Sequence, residues 1–286
     1  MEVLSDILRS MRVTGSVYFC QAVEPPWSMD FSESTKACFH YIRKGDCWLT
    51  SGDRVARLGP GDLLYVEAGL DHTLASDEPG KAGQSAQSST LLLCGYCEFE
   101  APDTHPLLES LPNMIIVTAE DLLQHSWLKT TLDQLSAEYM SQQPGSDVVV
   151  DKLTEILLVE LIRINFGRAE QTGFISALFD RQISRALALM HADPQITWTL
   201  DILASRVAMS RAAFAKRFKE RVGQTMFEYL TALRMRHAQA LLRESELRLY
   251  EVANQVGYES DLAFAKAFKR LFRMTPTMYR KQSRGS

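Results

Sequence analysis

Two rhythms of apolar residues divide the chain. In its first hundred residues apolar and polar positions alternate in short runs, the two-residue period of strands. Runs at 15–23, 37–43, 46–51, 54–58, 63–66, 72–75 and 90–99 predict strands. Lys44-Gly45, Ser51-Gly52-Asp53 and Gly59-Pro60-Gly61-Asp62 predict the turns between them. Short strands so closely spaced predict an antiparallel barrel or sandwich. Ahead of them Val3, Leu4, Ile7, Leu8 and Met11 mark a short amphipathic helix, and the polar stretch 79–89 predicts a loop. From residue 105 the period lengthens to that of helices. One is expected from His125 to Met140 and a second from Val148 to Phe166, with a break at Gln142–Asp147. The second is apolar on more than one side. It must pack on the strands and on something else, either a partner subunit or the remainder of its own chain.

A repeat dominates the second part. Residues 212–220 read AAFAKRFKE and residues 262–270 read LAFAKAFKR. Ala204 and Val207 match Ala253 and Val256 at an offset of 49, whereas Phe214 and Phe218 match Phe264 and Phe268 at 50. The extra residue falls in a turn, where insertion is tolerated, so each copy reads as helix, turn, helix. Phenylalanines at i and i+4 define a buried face in each second helix. Ala212, Lys216 and Lys219 then face outward in one copy, and Leu262, Lys266 and Lys269 in the other. Short side chains let a helix sink into a major groove, where lysine reaches guanine or phosphate.

Between the copies, Thr225-Met226-Phe227-Glu228 has the capping-box pattern. The helix it starts runs to about Arg243 without Gly or Pro, roughly 28 Å at ~1.5 Å per residue. Such a strut suits two reading helices one DNA turn apart, ~34 Å.

Charge sharpens this division. Residues 180–286 hold 19 Lys+Arg against 10 Asp+Glu, and the first 179 hold 12 against 25. A basic half beside an acidic one suggests nucleic acid as the partner of the former. Arg234, Arg236 and Arg280 are among the cations expected to supply salt-dependent phosphate contacts. At 286 residues and 46% hydrophobic, the chain fits two domains. No apolar run approaches the ~20 residues of a membrane span, and the N-terminus carries acids where a signal peptide would be apolar. A cytoplasmic protein with no membrane partner is expected. Cys20, Cys38, Cys47, Cys94 and Cys97 all lie in the acidic half, an odd count without zinc-type pairs.

The stretch WTLDILASRVAMSRAAFAKRFKERVGQT, the later RMRHAQALLRES and VANQVGYESDLAFAKAFKRLFRMTPTMYR together resemble the AraC/XylS-type DNA-binding domain over about 182–281. The resemblance implies that Ser210, Arg211, Ala212, Ala215 and Lys216 face DNA in the first unit. It implies the same for Ser260, Asp261, Leu262, Ala263 and Lys266 in the second. Two positions depart from the family. Arg273 stands where a glycine usually ends the second reading helix, and Asp261 places a negative charge at that helix's start.

LGPGDLLYVEAGLDHTL at 58–74 and FHYIRKGDCWL at 39–49 resemble parts of the cupin barrel. Metal-dependent cupins use an H-x-H pair, but His40 is followed by Tyr41 and Ile42. Two imidazoles fall short of the usual three protein ligands, so no metal, cofactor or catalytic residue is expected. A metal-dependent cupin enzyme carrying a DNA-binding tail is the alternative. His40, Trp48, Tyr65 and His72 are the candidates for an effector pocket. Cys20 and Cys94 are candidates for an oxidisable pair, against the plainer reading of buried cysteines as small hydrophobes.

The expected class is α+β. An N-terminal antiparallel cupin-like β-barrel (about 13–100) and trailing helices (about 105–167) form a sensor and dimerisation domain over 1–170. A linker at 171–181 leads to an all-α double helix-turn-helix DNA-binding domain at 182–286. The expected function is a sequence-specific transcriptional activator, controlled by a small molecule or by cysteine oxidation. Its expected partners are double-stranded promoter DNA, RNA polymerase and a second copy of the chain.

Overall fold

The computed structural model describes residues 2–11, 13–32, 34–81, 88–99, 105–168 and 173–283. They form two compact units.

The β unit contains every strand found among the described residues. Its first sheet orders β1 (Val13–Val23), β8 (Thr90–Phe99), β3 (Ala37–Lys44), β6 (Leu63–Val66) and β9 (Met114–Val117). The second orders β2 (Ser28–Phe31), β7 (His72–Ala75), β4 (Cys47–Ser51) and β5 (Arg54–Leu58). All pairings are antiparallel. The two sheets enclose a core of Ile42, Leu64, Val66, Leu92, Cys94 and Met114 from the first and Cys47, Leu49, Leu58 and Leu74 from the second. Alternate residues of the first sheet, including Cys20, Phe39, Tyr41, Leu63, Tyr65 and Leu93, are buried as well. Helices α3 (Ala119–Gln124), α4 (Ser126–Ser141) and α5 (Ser146–Arg168) complete this unit. The backbone N–H of Gly15 in β1 donates to the Asp151 carboxylate of α5 at 2.9 Å, and α4 packs on β1.

Two strands lack a sequence signal. SMDF in β2 follows a Pro-Pro-Trp turn and is too short to show alternation. MIIV in β9 is an uninterrupted apolar run inside a region of helical character, and its strand identity comes from its pairing with β6. The apolar surplus of α5 is largely absorbed within the chain, because Leu157, Leu158, Leu161, Ile162 and Ile164 are buried. Val148, Val149 and Ile156 remain exposed.

The helical unit gathers α1 (Glu2–Met11), α2 (Pro106–Glu109), α6 (Gly173–Phe179) and α7 (Arg181–Ala192) with α8 (Leu200–Arg206), α9 (Arg211–Val222), α10 (Met226–Glu244), α11 (Leu249–Gln255), α12 (Asp261–Phe272) and α13 (Pro276–Ser283). The sequence grouped α1 with the strands. Its apolar face, with Val3 and Ile7 buried, packs on α7 and α10. Nor is 173–181 a linker: GFISALF is the helix α6, and Phe174, Ile175 and Ala177 are buried. Residues 171 and 172, and 82–87 of the expected polar loop, lie outside the described residues.

Inside this unit His105 caps α2, its Nδ1 accepting from the Leu107 N–H at 3.1 Å. Its ring packs edge-on against Phe174 and Tyr229. Tyr229 of α10 donates or accepts a 2.7 Å hydrogen bond with His191 of α7 and touches the ring of Phe218 in α9. The second helix-turn-helix has its own core, in which Met235, Ala238 and Leu242 of α10 meet Phe264, Phe268 and Phe272 of α12. Thus α10 belongs to both cores.

Candidate functional site

The two repeated segments fold as α8–turn–α9 and α11–turn–α12. Phe214, Phe218, Phe264 and Phe268 are fully buried, and the opposite faces are open. Arg211, Ala212, Lys216, Lys219, Asp261, Leu262, Ala263, Lys266 and Lys269 are exposed, and Ala215 is half-buried. Leu262, a large apolar side chain, is 62% exposed. Ser210 and Ser260 are N-caps whose hydroxyl oxygens accept from the Ala213 and Ala263 N–H groups, a role that leaves each O–H available as a donor. Arg211 pairs with Asp201 at 3.4 Å and Lys216 with Glu220 at 3.9 Å. Exposed pairs of this kind hold the side chains weakly.

The strut forms as its sequence implies. Thr225 Oγ1 accepts from the Glu228 N–H, and Glu228 Oε2 accepts from the Thr225 N–H at 2.8 Å. The helix that follows has 19 residues.

The arginines expected on phosphate are placed otherwise. Arg234 donates to the Pro194 and Ile196 carbonyls at 2.7 and 2.9 Å. Arg280 donates to the Leu242 and Leu247 carbonyls at 3.3 and 2.6 Å. Arg236 is buried, and its charge lowers the pKa values of His105, His191 and His237, each of which burial already lowers. Carbonyls left over at loops and helix ends need donors, and a guanidinium supplies several at once. None of that is visible in sequence spacing.

Of the four expected pocket residues the structure joins two. His40 of β3 and His72 of β7 point into the core, their Nε2 atoms 2.9 Å apart. Their neighbours in register decide the rest. Tyr65 lies between Leu64 and Val66, which face the core, so its ring occupies the other face of the sheet. Trp48 lies between core-facing Cys47 and Leu49 and turns outward in the same way. Phe31, which the sequence did not single out, stacks on His72 at 4.8 Å and tilts against His40 at 4.6 Å. Its signal is hidden because it belongs to the unrecognised strand β2.

The protons of this pair follow from one carbonyl. His72 Nδ1 lies 3.2 Å from the Leu70 carbonyl, which can only accept, so His72 carries its proton there. Its Nε2 is then an acceptor, and His40 Nε2 donates to it. His40 Nδ1 is left as a bare acceptor, buried and without a hydrogen-bond partner among the described residues. Burial, and then the neighbouring imidazole, push the His40 pKa down to about 3. Burial also lowers that of His72. Both shifts favour the neutral rings. Among the described residues no group of three or more His, Cys, Asp or Glu is placed to hold a metal ion.

Cys20 and Cys94 do not face each other. Phe19 pairs with Cys94 and Cys20 with Leu93. Paired residues share a face of the sheet, so Cys94 enters the core beside Phe19 while Cys20 points the opposite way. All five cysteines are free and buried. Burial raises the thiol pKa of Cys47 and of Cys97 to about 12, and raises that of Cys94 further. Such thiols carry little reactive thiolate.

The family model described as "Cupin" matches residues 2–167, and that described as "Helix-turn-helix domain" matches residues 203–282. The chain is 29% identical to the HTH-type transcriptional regulator AlkR of Acinetobacter baylyi, over 99% of this chain and 100% of that protein. It is 30% identical to a putative AraC-like transcription regulator of Streptomyces antibioticus, over 98% and 99%. Among solved structures, the DNA-binding domain of AdpA in complex with a target DNA is 29% identical, covering 37% of this chain and 95% of that one at a TM-score of 0.36.

Proposed function

Because the chain belongs to the AraC family of DNA-binding transcriptional regulators, with a cupin domain ahead of its helix-turn-helix domain, we propose that it activates transcription by presenting α9 and α12 to adjacent major grooves. The observation that carries this reading is the pair of open helix faces on either side of a shared strut. Ala212, Ala215, Leu262 and Ala263 offer close approach and apolar contact to thymine methyls. Arg211, Lys216, Lys219, Lys266 and Lys269 reach base edges or phosphate. Ser210 and Ser260 donate to phosphate at the helix starts. Asp261 repels phosphate and makes the second unit the weaker of the two.

The β unit senses the signal. His40 Nδ1 supports a small molecule with an apolar body and an uncharged hydrogen-bond donor, because a bare acceptor within an apolar core selects for a donor. The opposed faces of Cys20 and Cys94 speak against oxidation of that pair as the signal. The exposed apolar residues of α4 and α5, among them Trp127, Val148 and Val149, support a homodimer. The regulator acts in the cytoplasm and recruits RNA polymerase. No helix among the described residues is long and apolar enough to cross a membrane.

Footprinting on the DNA flanking the chain's own coding sequence tests this. The expected pattern is protection of two successive major grooves on one face, about 10 base pairs apart. Binding without any preferred position, or protection of a single groove, removes the reading.

A further inference from the structure

Asp180, a linker residue by sequence alone, is held by partners from two helices of the helical unit. It caps α7, its Oδ1 accepting from the Gln182 and Ile183 N–H groups at 3.1 and 3.2 Å. Its Oδ2 accepts from Arg217 Nε of α9 at 2.6 Å, and Arg221 Nε of the same helix lies at 3.8 Å. Arg217 Nη1 also donates to Gln182 Oε1 at 3.1 Å. The Gln182 amide in turn donates to the Val207 and Ala208 carbonyls of the α8–α9 turn. One short stretch at the start of α7 therefore grips both α9 and the turn that leads into it.

We propose that Asp180 is the positioning residue of the first reading helix, acting through Arg217 to fix the roll of α9 against the domain. This rests on the reading of α9 as a DNA-contacting helix. Phe214, Phe218 and Val222 form a narrow apolar stripe, and a helix seated on one stripe can roll about its axis. Arg217 lies about 100° around the helix from Lys216, on the flank. A bond there stops the roll and so sets where Ala212 and Lys216 point.

The clasp is confined to the first unit. Fifty positions on, Arg217 and Arg221 become Ala267 and Leu271, which pack into the apolar core of the second unit. The second helix is braced by apolar contact on the flank where the first is braced by charge. The clasp also withdraws two cations from the DNA-binding surface. Beside it lies a cleft of about 430 Å³, lined as well by Arg181, Arg185 and Val207. Water therefore reaches the Arg217 side chain, which is 44% exposed, while Asp180 is only 3% exposed. Burial alone would raise the Asp180 pKa, but the Ile183 N–H and Arg217 outweigh it and hold the carboxyl below its usual range.

Asp180→Asn is the discriminating variant. Asparagine caps helices about as well as aspartate, so α7 keeps its start while the ion pair is lost. The full-length wild type first selects a preferred duplex from a random 30-base-pair pool. Affinities of wild type and variant are then measured for that duplex and for a scrambled duplex of equal composition. The variant is expected to lose about tenfold or more on the selected duplex, the scale of one lost base contact. It is expected to bind the scrambled duplex as well as wild type or better, since Arg217 and Arg221 are released toward phosphate. Unchanged affinity for the selected duplex overturns the proposal, and equal losses on both duplexes reduce Asp180 to a structural residue. If circular dichroism shows that the variant is unfolded, Arg217→Gln, which breaks the ion pair from the α9 side, takes its place: a larger loss on the selected duplex than on the scrambled one is expected, and no loss or an equal loss overturns the proposal. Failure of the wild type to enrich any duplex would remove the DNA-binding reading itself.

Discussion

Gly223 and Arg273 end α9 and α12 in the same left-handed conformation, with φ of 85° and 58°. Each backbone N–H closes onto the carbonyl four residues back, Lys219 in one copy and Lys269 in the other. The repeat thus extends to the stop signal, but only one copy carries the residue that adopts this conformation without strain. Replacing Arg273 with glycine should stabilise the helical unit by about 1 kcal/mol. A rise in urea midpoint at unchanged slope would verify it. A fall would mean that the Arg273 side chain contributes packing or charge worth more than the strain.

The other turn shows the same inequality in reverse. Ala208 is left-handed at φ 56°, where the second copy has Gly257 at φ 80°. A Cβ on Gly257 would meet the Gln195 carbonyl at 2.6 Å and the Arg234 guanidinium at 2.8 Å. Gly257→Ala is therefore expected to cost about 2 kcal/mol or more, from strain and displacement of Arg234 together. Ala208→Gly should be neutral or mildly stabilising. Thermal melts of the two variants should move in opposite directions or differ widely, and equal shifts would contradict the geometry.

Lys216→Ala is expected to weaken specific DNA binding by about 1–3 kcal/mol if the side chain reads a base edge. Arg234→Ala is expected to act differently. Losing two bonds to loop carbonyls lowers folding stability by about 1–3 kcal/mol, while the dependence of DNA affinity on salt keeps its slope. A slope reduced by about one in Arg234→Ala would restore that residue to the phosphate surface.

Acid should weaken both units. Burial lowers the His40 and His191 pKa values to about 3, whereas an unfolded histidine titrates near 6.5. Below pH 6.5 the unfolded chain binds protons that the folded chain refuses, so stability falls as pH falls, until about pH 3. Between pH 6.5 and 5 each histidine is expected to cost about 2 kcal/mol. Urea titrations of His191→Gln at pH 7 and pH 5 should show a smaller acid loss than wild type. An identical loss would assign the acid sensitivity to other groups.

Alkylation of the cysteines by a maleimide should be slow in the folded protein and fast in urea, since every thiol is buried. Oxidation should yield no Cys20–Cys94 disulfide on peptide mapping. Rapid formation of that bond would require the β1–β8 pairing to shift by one residue.

Periodicity carried the reading furthest where one element buries one face. The seven strands, the Phe214/Phe218 and Phe264/Phe268 stripes and the Thr225–Glu228 capping box all stand where local pattern placed them. The repeat at offsets of 49 and 50 made two helix-turn-helix units legible without any structure. Local signals of this kind work because helix and strand periods translate sequence spacing directly into a face.

Distant pairing and the destination of charged side chains lay beyond that reach. Trp48 and Tyr65 sit beside His40 and His72 in an apolar pattern, and only the register of each strand shows that they turn away. Arg234, Arg236 and Arg280 count as cations in any sequence, and only tertiary packing turns them toward carbonyls or buries them. Asp180 reads as the end of a linker until α7, α9 and the intervening turn converge on its carboxylate. The sequence alone determined the two repeated helix-turn-helix units and seven of the strands ahead of them, because those patterns depend on near neighbours along the chain. Which polar groups meet was decided by the fold, since hydrogen bonds and ion pairs form between atoms brought close in space, from positions the chain keeps far apart.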